Sequence, residues 1–168
     1  MKQYPITLRQ IINTAESALH SIDDDLFNHK STPNKWSKKE ILGHLIDSAY
    51  NNHQRFIRAE EQGNLIFPGY NQPLWVIRNN YQNRDKREVI DSWFQVNQHL
   101  SFLIEQIPED VMNRKTRDHN FHLICMNLIQ EGVSTTLSYL VWDYLFHLEH
   151  HLKQIIPGYQ SLSGNFQK

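Results

Sequence analysis

Cysteine is nearly absent from this chain of 168 residues, since Cys125 is the only one, and an internal disulfide is therefore excluded. A chain with so little cysteine is typical of a reducing compartment. Long apolar runs are also missing. No segment approaches the roughly 18 apolar residues of a membrane span, and the N-terminal residues lack the apolar core of a signal peptide. We therefore expect a soluble, cytoplasmic protein without a membrane partner.

An excess of charge of either sign is lacking as well. Seventeen Lys and Arg residues face 18 Asp and Glu residues, which gives a formal net charge of -1 at pH 7. This balance gives no electrostatic reason to expect nucleic acid as a partner. The length fits one ordinary domain, and no repeat or linker interrupts the chain. We therefore treat residues 1–168 as a single domain.

Apolar residues recur at helical spacing in four long segments. The first segment begins near Thr7 and runs to Leu26, the second begins at the capping box formed by Ser37 and Glu40, and the last begins after Ser134. Four amphipathic helices of this length can bury their apolar faces only against one another. The sequence therefore predicts an all-α four-helix bundle with long helices over residues 7–26, 37–62, 85–107 and 134–156.

The connections between these helices are less regular. Residues 63–84 form a long connection between helices two and three, with a short helix predicted over residues 74–81. Its length leaves a simple up-down-up-down order of the helices open. Residues 108–132 are harder to interpret, because the apolar segment 121–129 fits either a short strand or a packed extended loop.

Histidine is unusually frequent, with ten residues in the chain. His147 and His151 lie four positions apart in the last helix, hence one turn apart on the same face. Two imidazoles in this arrangement can hold one metal ion from one side, as in helical H-x-x-x-H zinc sites. A third protein ligand is still needed, and His44 in helix two is the best candidate.

Polar residues beside the apolar faces of helices two and four support this choice. Each helix carries a stripe at steps of three and four residues, which are His44, Ser48, Asn51 and Arg55 on one helix and Asp143, His147, His151 and Gln154 on the other. Two such stripes predict a shared polar pocket inside the bundle, where bundle metal sites are built. We expect Asn51, Arg55 and Gln154 to line it.

Each charged residue near these histidines has two alternative roles. Asp47 and Asp143 can orient a ligand histidine through its free ring nitrogen or remain local carboxylates, and Asp143 is also open as a further ligand. Arg55 can receive an anionic group of a substrate or thiol, or form a surface ion pair. Catalytic contacts are expected from Asn51 and Arg55, and supporting contacts from Gln154.

The sequence also predicts positions for the other histidines, for the single cysteine and for the aromatic residues of the long connection. His150 points about 100° away from His151 around the helix, so we place it at the rim of the site, with its exact role open. Cys125 is expected to be a buried small side chain rather than a nucleophile. The aromatic residues of the long connection, Phe67, Tyr70 and Trp75, either wall the pocket or plug the end of the bundle. The remaining six histidines are expected to be structural or surface residues.

Two segments resemble a known family. The sequences WSKKEILGHLIDSAYNNHQR at 36–55 and DYLFHLEHHLKQI at 143–155 are similar to the DinB-like superfamily, and within it to the YfiT-like metal-dependent hydrolases. This resemblance implies a four-helix bundle whose metal is held by one histidine of the second helix and two of the last. Matched residue by residue, these are His44, His147 and His151.

The resemblance also implies zinc or nickel as the ion, a small-molecule substrate, and in several relatives a low-molecular-weight thiol as co-substrate. Three neutral ligands leave at least one position of the ion open, which is consistent with hydrolysis or with thiol-dependent S-transfer. The alternative is a bundle that binds a metal or ligand without catalysis. Family analogy and the apolar residues of the 63–84 connection together predict a homodimer.

Overall fold

Helices supply all the regular structure of residues 3–163, the part of the chain that the computed structural model describes. A 3₁₀ turn covers Tyr81–Asn83, and two isolated backbone bridges join Leu65 to His119 and Thr116 to Thr135. None of the helices in this part of the chain is long and apolar enough to cross a membrane. The helices are α1 (Gln3–Ser21), α2 (Asp24–Asn28), α3 (Lys38–Glu61), α4 (Gln72–Arg78), α5 (Lys86–Gln106), α6 (Glu109–Asn113), α7 (Phe121–Ile124) and α8 (Leu137–Ile155).

The four long helices, α1, α3, α5 and α8, form the predicted bundle. Helix α5 packs between α1 and α3, and α8 contacts the same two helices from the other side. Helices α1 and α5 are antiparallel, since Arg9 near the start of α1 pairs with Glu105 near the end of α5 at 2.9 Å. Helices α3 and α8 are also antiparallel, because the ammonium group of Lys38 donates to the carbonyl of Ile155.

The neighbouring helices α3 and α5 run parallel. At their starts, Lys39 Nζ donates to the carbonyl of Arg84 at 2.7 Å, and further along His53 faces His99. After α3 the chain must therefore return along its whole length, which is about 36 Å at 1.5 Å per residue. This return explains the long connection that the sequence predicted between the second and third long helices.

The apolar stripes predicted from the sequence form the core. In α3, Leu42, Leu45 and Phe56 are fully buried, and in α5 Trp93 and Leu100 are fully buried as well. In the connection, Ile66, Leu74 and Ile77 are exposed. The homodimer expected from this apolar segment stays a prediction, which light scattering tests.

The prediction for the first helix was wrong at both ends. Helix α1 begins at Gln3, so Thr7 lies inside it and its hydroxyl accepts a bond from the Gln3 amide at 3.2 Å. It ends at Ser21, where Asp23 caps the separate helix α2. The break turns Leu26 to the surface, 48% exposed, and buries Phe27 instead.

The last helix starts two residues later than predicted. Thr136, rather than Ser134, is the cap, and its hydroxyl accepts from the backbone N–H of Tyr139 at 3.2 Å. The backbone of Thr135 is still engaged with that of Thr116, so the helix cannot begin earlier. The apolar segment 121–129 starts with the short helix α7 and continues without regular structure, so the strand alternative is excluded.

Gly43 allows a close contact beside the histidine of α3. A Cβ atom at this position would lie 2.1 Å from the ring of Tyr81, which is far inside van der Waals contact. Tyr81 in turn donates its hydroxyl proton to Asp47 Oδ1 at 2.8 Å. Glycine here therefore lets the returning connection pack directly against the part of α3 that carries His44.

Candidate metal centre

Three histidines converge between α3 and α8. His147 and His151 lie one turn apart on α8, with ring centroids 4.6 Å apart. His44 reaches across from α3, and its ring centroid lies 5.2 Å from that of His147 and 5.0 Å from that of His151. One ring nitrogen of each histidine lies within 4.8 Å of the others. Among residues 3–163, this is the only group of three or more His, Cys, Asp or Glu side chains with ligand atoms so placed.

The geometry of this cluster fits a metal ion. The Nε2 atoms of His44 and His147 are 3.2 Å apart. Two imidazole nitrogens at about 2.1 Å from one ion lie about 3.0 Å apart in an octahedral site and about 3.4 Å apart in a tetrahedral one. The observed distance falls between these values. An imidazole-only donor set suits zinc and nickel better than magnesium or calcium.

Burial keeps these histidines in the form that binds metals. Burial, with a smaller contribution from the nearby His151, lowers the pKa of His44 to about 4. Burial, together with the neighbouring His151 and His44, also lowers the pKa of His147 well below its usual value. The pKa of His151 is lowered chiefly by burial. At neutral pH the cluster therefore presents neutral imidazoles, whose lone pairs are free to bind an ion.

Gln154 orients one of the three rings. Its Oε1 atom lies 2.9 Å from Nδ1 of His151, and its Nε2 atom lies 3.1 Å from Nε2 of His150. An amide oxygen can only accept, so Nδ1 of His151 carries the proton and Nε2 keeps its lone pair for a metal. Gln154 thus supports the cluster from outside, and it is absent from the lining of the adjacent pocket.

Asp47 lies one turn after His44 and is held by two donors. Asn79 Nδ2 and the hydroxyl of Tyr81 both donate to its Oδ1 atom at 2.8 Å. Burial raises its pKa to about 6, although these two hydrogen bonds act in the opposite direction. Its Oδ2 atom and Nδ1 of His44 are both buried without a hydrogen-bond partner among the described residues. No hydrogen bond therefore joins the two groups, and the orienting role of Asp47 stays a prediction.

Asp143 is engaged by the chain that follows α7. Its two carboxylate oxygens accept from the backbone N–H groups of Met126 at 2.9 Å and Asn127 at 2.7 Å. The side-chain amide of Asn127 donates to it as well, at 3.0 Å. Asp143 is outside the three-histidine group. These bonds fix the segment that covers one side of the pocket.

A pocket of about 310 Å³ opens beside the histidines. Arg55 lies in its wall and is only 6% exposed. Its guanidinium donates to the carbonyl of Pro68 at 3.1 Å and lies 3.5 Å from Asn52 Oδ1, while its Nε has no partner among the described residues. No carboxylate of residues 3–163 forms an ion pair with it. The pocket therefore contains a buried cation that forms no ion pair, although the charge of Asp143 in the same pocket favours its charged form.

The structure separates Asn51 from this pocket. Asn51 donates to the carbonyl of Asp47 at 2.8 Å and lines a second cavity, whereas Asn52 lines the pocket of the histidines. Tyr70 lies in the wall of both cavities, with its ring centroid 6.5 Å from that of His44. A residue from the long connection thus divides the polar face of α3, which helical periodicity alone does not indicate.

The aromatic residues of the connection have different positions. Phe67 is 2% exposed and belongs to the core, so it acts as a plug. Tyr70 and Trp75 pack together with ring centroids 5.0 Å apart, and both line the second cavity. Trp36, which the sequence did not single out as a site residue, lies against His44 at 5.2 Å between ring centroids.

Cys125 and His150 both line the pocket. Cys125 is 7% exposed, as expected for a small buried side chain, and burial beside Asp143 raises the pKa of its thiol. A thiol with a raised pKa is a poor nucleophile. His150 is exposed and contacts Gln154, at the rim of the cluster as the sequence predicted.

The remaining histidines include one pair that the sequence did not reveal. His119 is buried and lies 2.8 Å from the carbonyl of Val133, which fits a structural role. His53 and His99, however, face each other across α3 and α5. They lie 46 residues apart on different helices, so no spacing rule within one helix could have found them.

Comparison with known proteins agrees with this fold. The family model of the DinB superfamily matches residues 7–155, and the chain belongs to this superfamily. Among solved structures, the chain is similar to YfiT from Bacillus subtilis, described as a probable metal-dependent hydrolase with an unusual four-helix bundle topology. The TM-score is 0.73 at 16% sequence identity, over 91% of this chain and 82% of that chain. No curated protein matches the chain.

Proposed function

We propose that the protein is a metal-dependent enzyme that hydrolyses a small molecule carrying an anionic group. The observation that carries this proposal is the convergence of three neutral histidines on the wall of a pocket that also contains the unpaired Arg55. Membership of the DinB superfamily and the description of the Bacillus subtilis neighbour support a metal-dependent reaction.

The metal is proposed to be one zinc or nickel ion, held by His44, His147 and His151. An ion with three neutral ligands and an open position supplies a Lewis acid that lowers the pKa of bound water or thiol and polarises a substrate. Gln154 maintains the ligating tautomer of His151, because its Oε1 atom accepts a hydrogen bond from Nδ1–H. The surrounding side chains hold the three rings in place, including Trp36 packed against His44.

Arg55 is proposed to bind the anionic group of the substrate. A buried guanidinium without a carboxylate partner is costly, because burial removes its hydration. Its burial lowers its pKa, although Tyr70, Cys125 and Asp143 favour the charged form. A carboxylate entering the pocket would form the direct ion pair that Arg55 lacks, through charge-assisted hydrogen bonds. The substrate would thereby be fixed with its reacting group toward the histidines.

Proton exchange is proposed to involve His150 rather than Cys125. Both side chains line the pocket, but the thiol of Cys125 is buried beside Asp143. His150 is exposed at the rim of the pocket, and histidine is the side chain that most often acts as a general acid or base. Thiol-dependent S-transfer is the alternative reaction for the same site, with a low-molecular-weight thiol taking the place of water.

A matched pair of esters tests the proposal. Protein stripped of metal and reloaded with one equivalent of zinc or nickel is assayed with 4-nitrophenyl hexanoate and with mono-4-nitrophenyl adipate, which carries a carboxylate too far along the chain to attack its own ester readily. We expect metal-dependent hydrolysis above the enzyme-free rate that favours the adipate ester, and Arg55→Met should remove this preference. Arg58→Met is the control, since Arg58 is exposed one turn further along α3.

Two outcomes would favour the other functions. Turnover of monochlorobimane only in the presence of cysteine or another small thiol would assign S-transfer instead of hydrolysis. Equal rates for the metal-free and metal-loaded protein with every probe would favour a bundle that binds metal without catalysis.

A further inference from the structure

A second pair of histidines lies on α3 and α5, away from the metal centre. The Nε2 atoms of His53 and His99 are 3.2 Å apart, the same separation as between His44 and His147. Along α3, His53 follows His44 by nine residues. At 3.6 residues per turn and 1.5 Å per residue, this is half a turn around the helix and about 14 Å along it. The two pairs therefore cannot share one ion.

The helices hold this second pair firmly. Phe56, one turn after His53, and Leu100, next to His99, are both fully buried in the core between the helices. The ring centroids of the two histidines are 5.1 Å apart with an interplanar angle of 31°. Without an ion, one ring can only donate its N–H to the lone pair of the other. If each ring instead carries its proton on Nδ1, both Nε2 lone pairs point into the space between them.

We propose that His53 and His99 form a second binding site for a divalent transition-metal ion. Their Nε2 separation fits two neighbouring positions around one ion, between the octahedral and tetrahedral values of about 3.0 and 3.4 Å. Imidazole ligands select zinc, nickel or copper over magnesium and calcium. His99 is exposed, so solvent can fill the remaining positions of the ion. With two protein ligands instead of three, this site binds more weakly than the central one.

The position of this pair suggests what the ion does. Helices α3 and α5 are parallel neighbours that the chain joins only through the connection between Glu61 and Lys86. An ion shared by His53 and His99 links them directly, near the middle of both helices. Because the ion binds the folded arrangement and not the unfolded chain, it stabilises the fold, and the melting temperature rises with the concentration of free metal.

Zinc stoichiometry and thermal melting test this proposal in protein without a histidine tag. Equilibrium dialysis against excess zinc, followed by elemental analysis, should give about two ions per chain for the wild type and about one for His53→Gln and for His99→Gln. His147→Ala should lose the central ion and keep the second. His29→Gln, which changes another exposed histidine, is the matched control and should bind like the wild type.

Melting curves show whether the His53→Gln and His99→Gln variants have lost only the second metal site or have also lost the fold. Without zinc, the two glutamine variants should melt within a few degrees of the wild type, because both histidines lie at the surface of the bundle. Excess zinc beyond the first equivalent should raise the melting temperature of the wild type more than that of either variant, in which only the central site still responds to free metal. Only one zinc ion in the wild type, or two ions and an undiminished shift in either variant, would overturn the second site.

Discussion

The Nε2 atoms of His44 and His147 lie 3.2 Å apart, although 103 residues separate the two histidines in the chain. The antiparallel packing of α3 against α8 produces this contact, since the start of one helix lies beside the end of the other. Two neutral imidazole nitrogens remain so close when one donates a proton to the other or when both bind the same ion. His151 adds a third nitrogen to the same space. That third nitrogen favours an ion over a simple N–H···N bond.

The hydrogen bond from His151 to Gln154 predicts the effect of a substitution outside the cluster. Gln154→Leu removes the acceptor for Nδ1–H, so His151 can rotate or take the other tautomer. We expect the metal dissociation constant to rise by about tenfold, the lower end of the range for residues that orient ligands. Competition with a chromophoric chelator measures this change.

Gln154→Glu is the matched variant, because a carboxylate oxygen can also accept a hydrogen bond from Nδ1–H of His151. Its metal affinity should stay close to that of the wild type. His150→Ala should do likewise, since it removes only the other contact of Gln154. Equal losses in the leucine and glutamate variants would contradict the orienting role.

At Gly43 we expect a Gly→Ala substitution to destabilise the protein, although the same substitution usually stabilises a helix. In a helix interior, Gly→Ala usually stabilises by about 1 kcal/mol. Here the new Cβ would meet the ring of Tyr81, so we expect Gly43→Ala to lower the free energy of unfolding by about 1–3 kcal/mol. Gly63→Ala is the control, because nothing lies within 4 Å of its Cβ position. Urea unfolding of both variants measures the difference, and a stabilised Gly43→Ala would contradict the contact.

The lowered pKa of His44 predicts how the metal-free protein responds to acid. Its pKa falls from 6.5 to about 4 in the folded state. Between these values the unfolded chain binds a proton that the folded protein does not, so acidification lowers the free energy of unfolding. His147 and His151 act in the same direction. From His44 alone we expect a loss of at most about 3 kcal/mol, fully developed only near its folded pKa. Urea titrations over this range measure it.

Two variants separate the contributions to this pH dependence. His44→Gln should make it shallower, because one of the three histidines no longer titrates. Asp47→Asn should make it steeper. The pKa of Asp47 rises from 3.8 to about 6 on folding, so the folded wild type gains a proton in this window and is partly protected from acid. Identical slopes in all three proteins would contradict both assignments.

Arg55 predicts opposite effects on stability and substrate binding. Replacing this buried, unpaired cation by methionine removes a costly desolvated charge, although the carbonyl of Pro68 loses its donor. We expect Arg55→Met to raise the free energy of unfolding by about 1 kcal/mol. The same variant should lose its preference for the carboxylated ester. A variant that is strongly destabilised would instead assign Arg55 a structural role.

Much of the architecture could be predicted because it depends on local patterns. The capping box of Ser37 and Glu40 and the cap of Asp85 mark where α3 and α5 begin, and helical spacing identifies the buried face of each. The same spacing brings His147 and His151 onto one face of α8. The choice of His44 required only a second helix with a matching polar stripe.

The features that the sequence did not predict depend on contacts between segments that are distant in the chain. Tyr70 of the connection lies in the wall of two cavities along α3, and Asn52 rather than Asn51 lines the one beside the histidines. The end of α1 at Ser21 follows from the capping of α2 by Asp23, while the apolar spacing continues through it. His53 and His99 come together only because α3 and α5 run parallel.

Metal analysis of matched histidine variants tests the central assignment most directly. Elemental analysis is carried out on the tag-free wild type and on the His147→Ala and His150→Ala variants. The two variants compare a residue of the cluster with an exposed histidine nearby on α8. After removal of weakly bound ions, the wild type and His150→Ala should each retain about one zinc or nickel ion per chain, and His147→Ala should retain almost none. Equal retention in the two variants, whether both keep the ion or both lose it, would contradict the assignment of His44, His147 and His151 as the ligands.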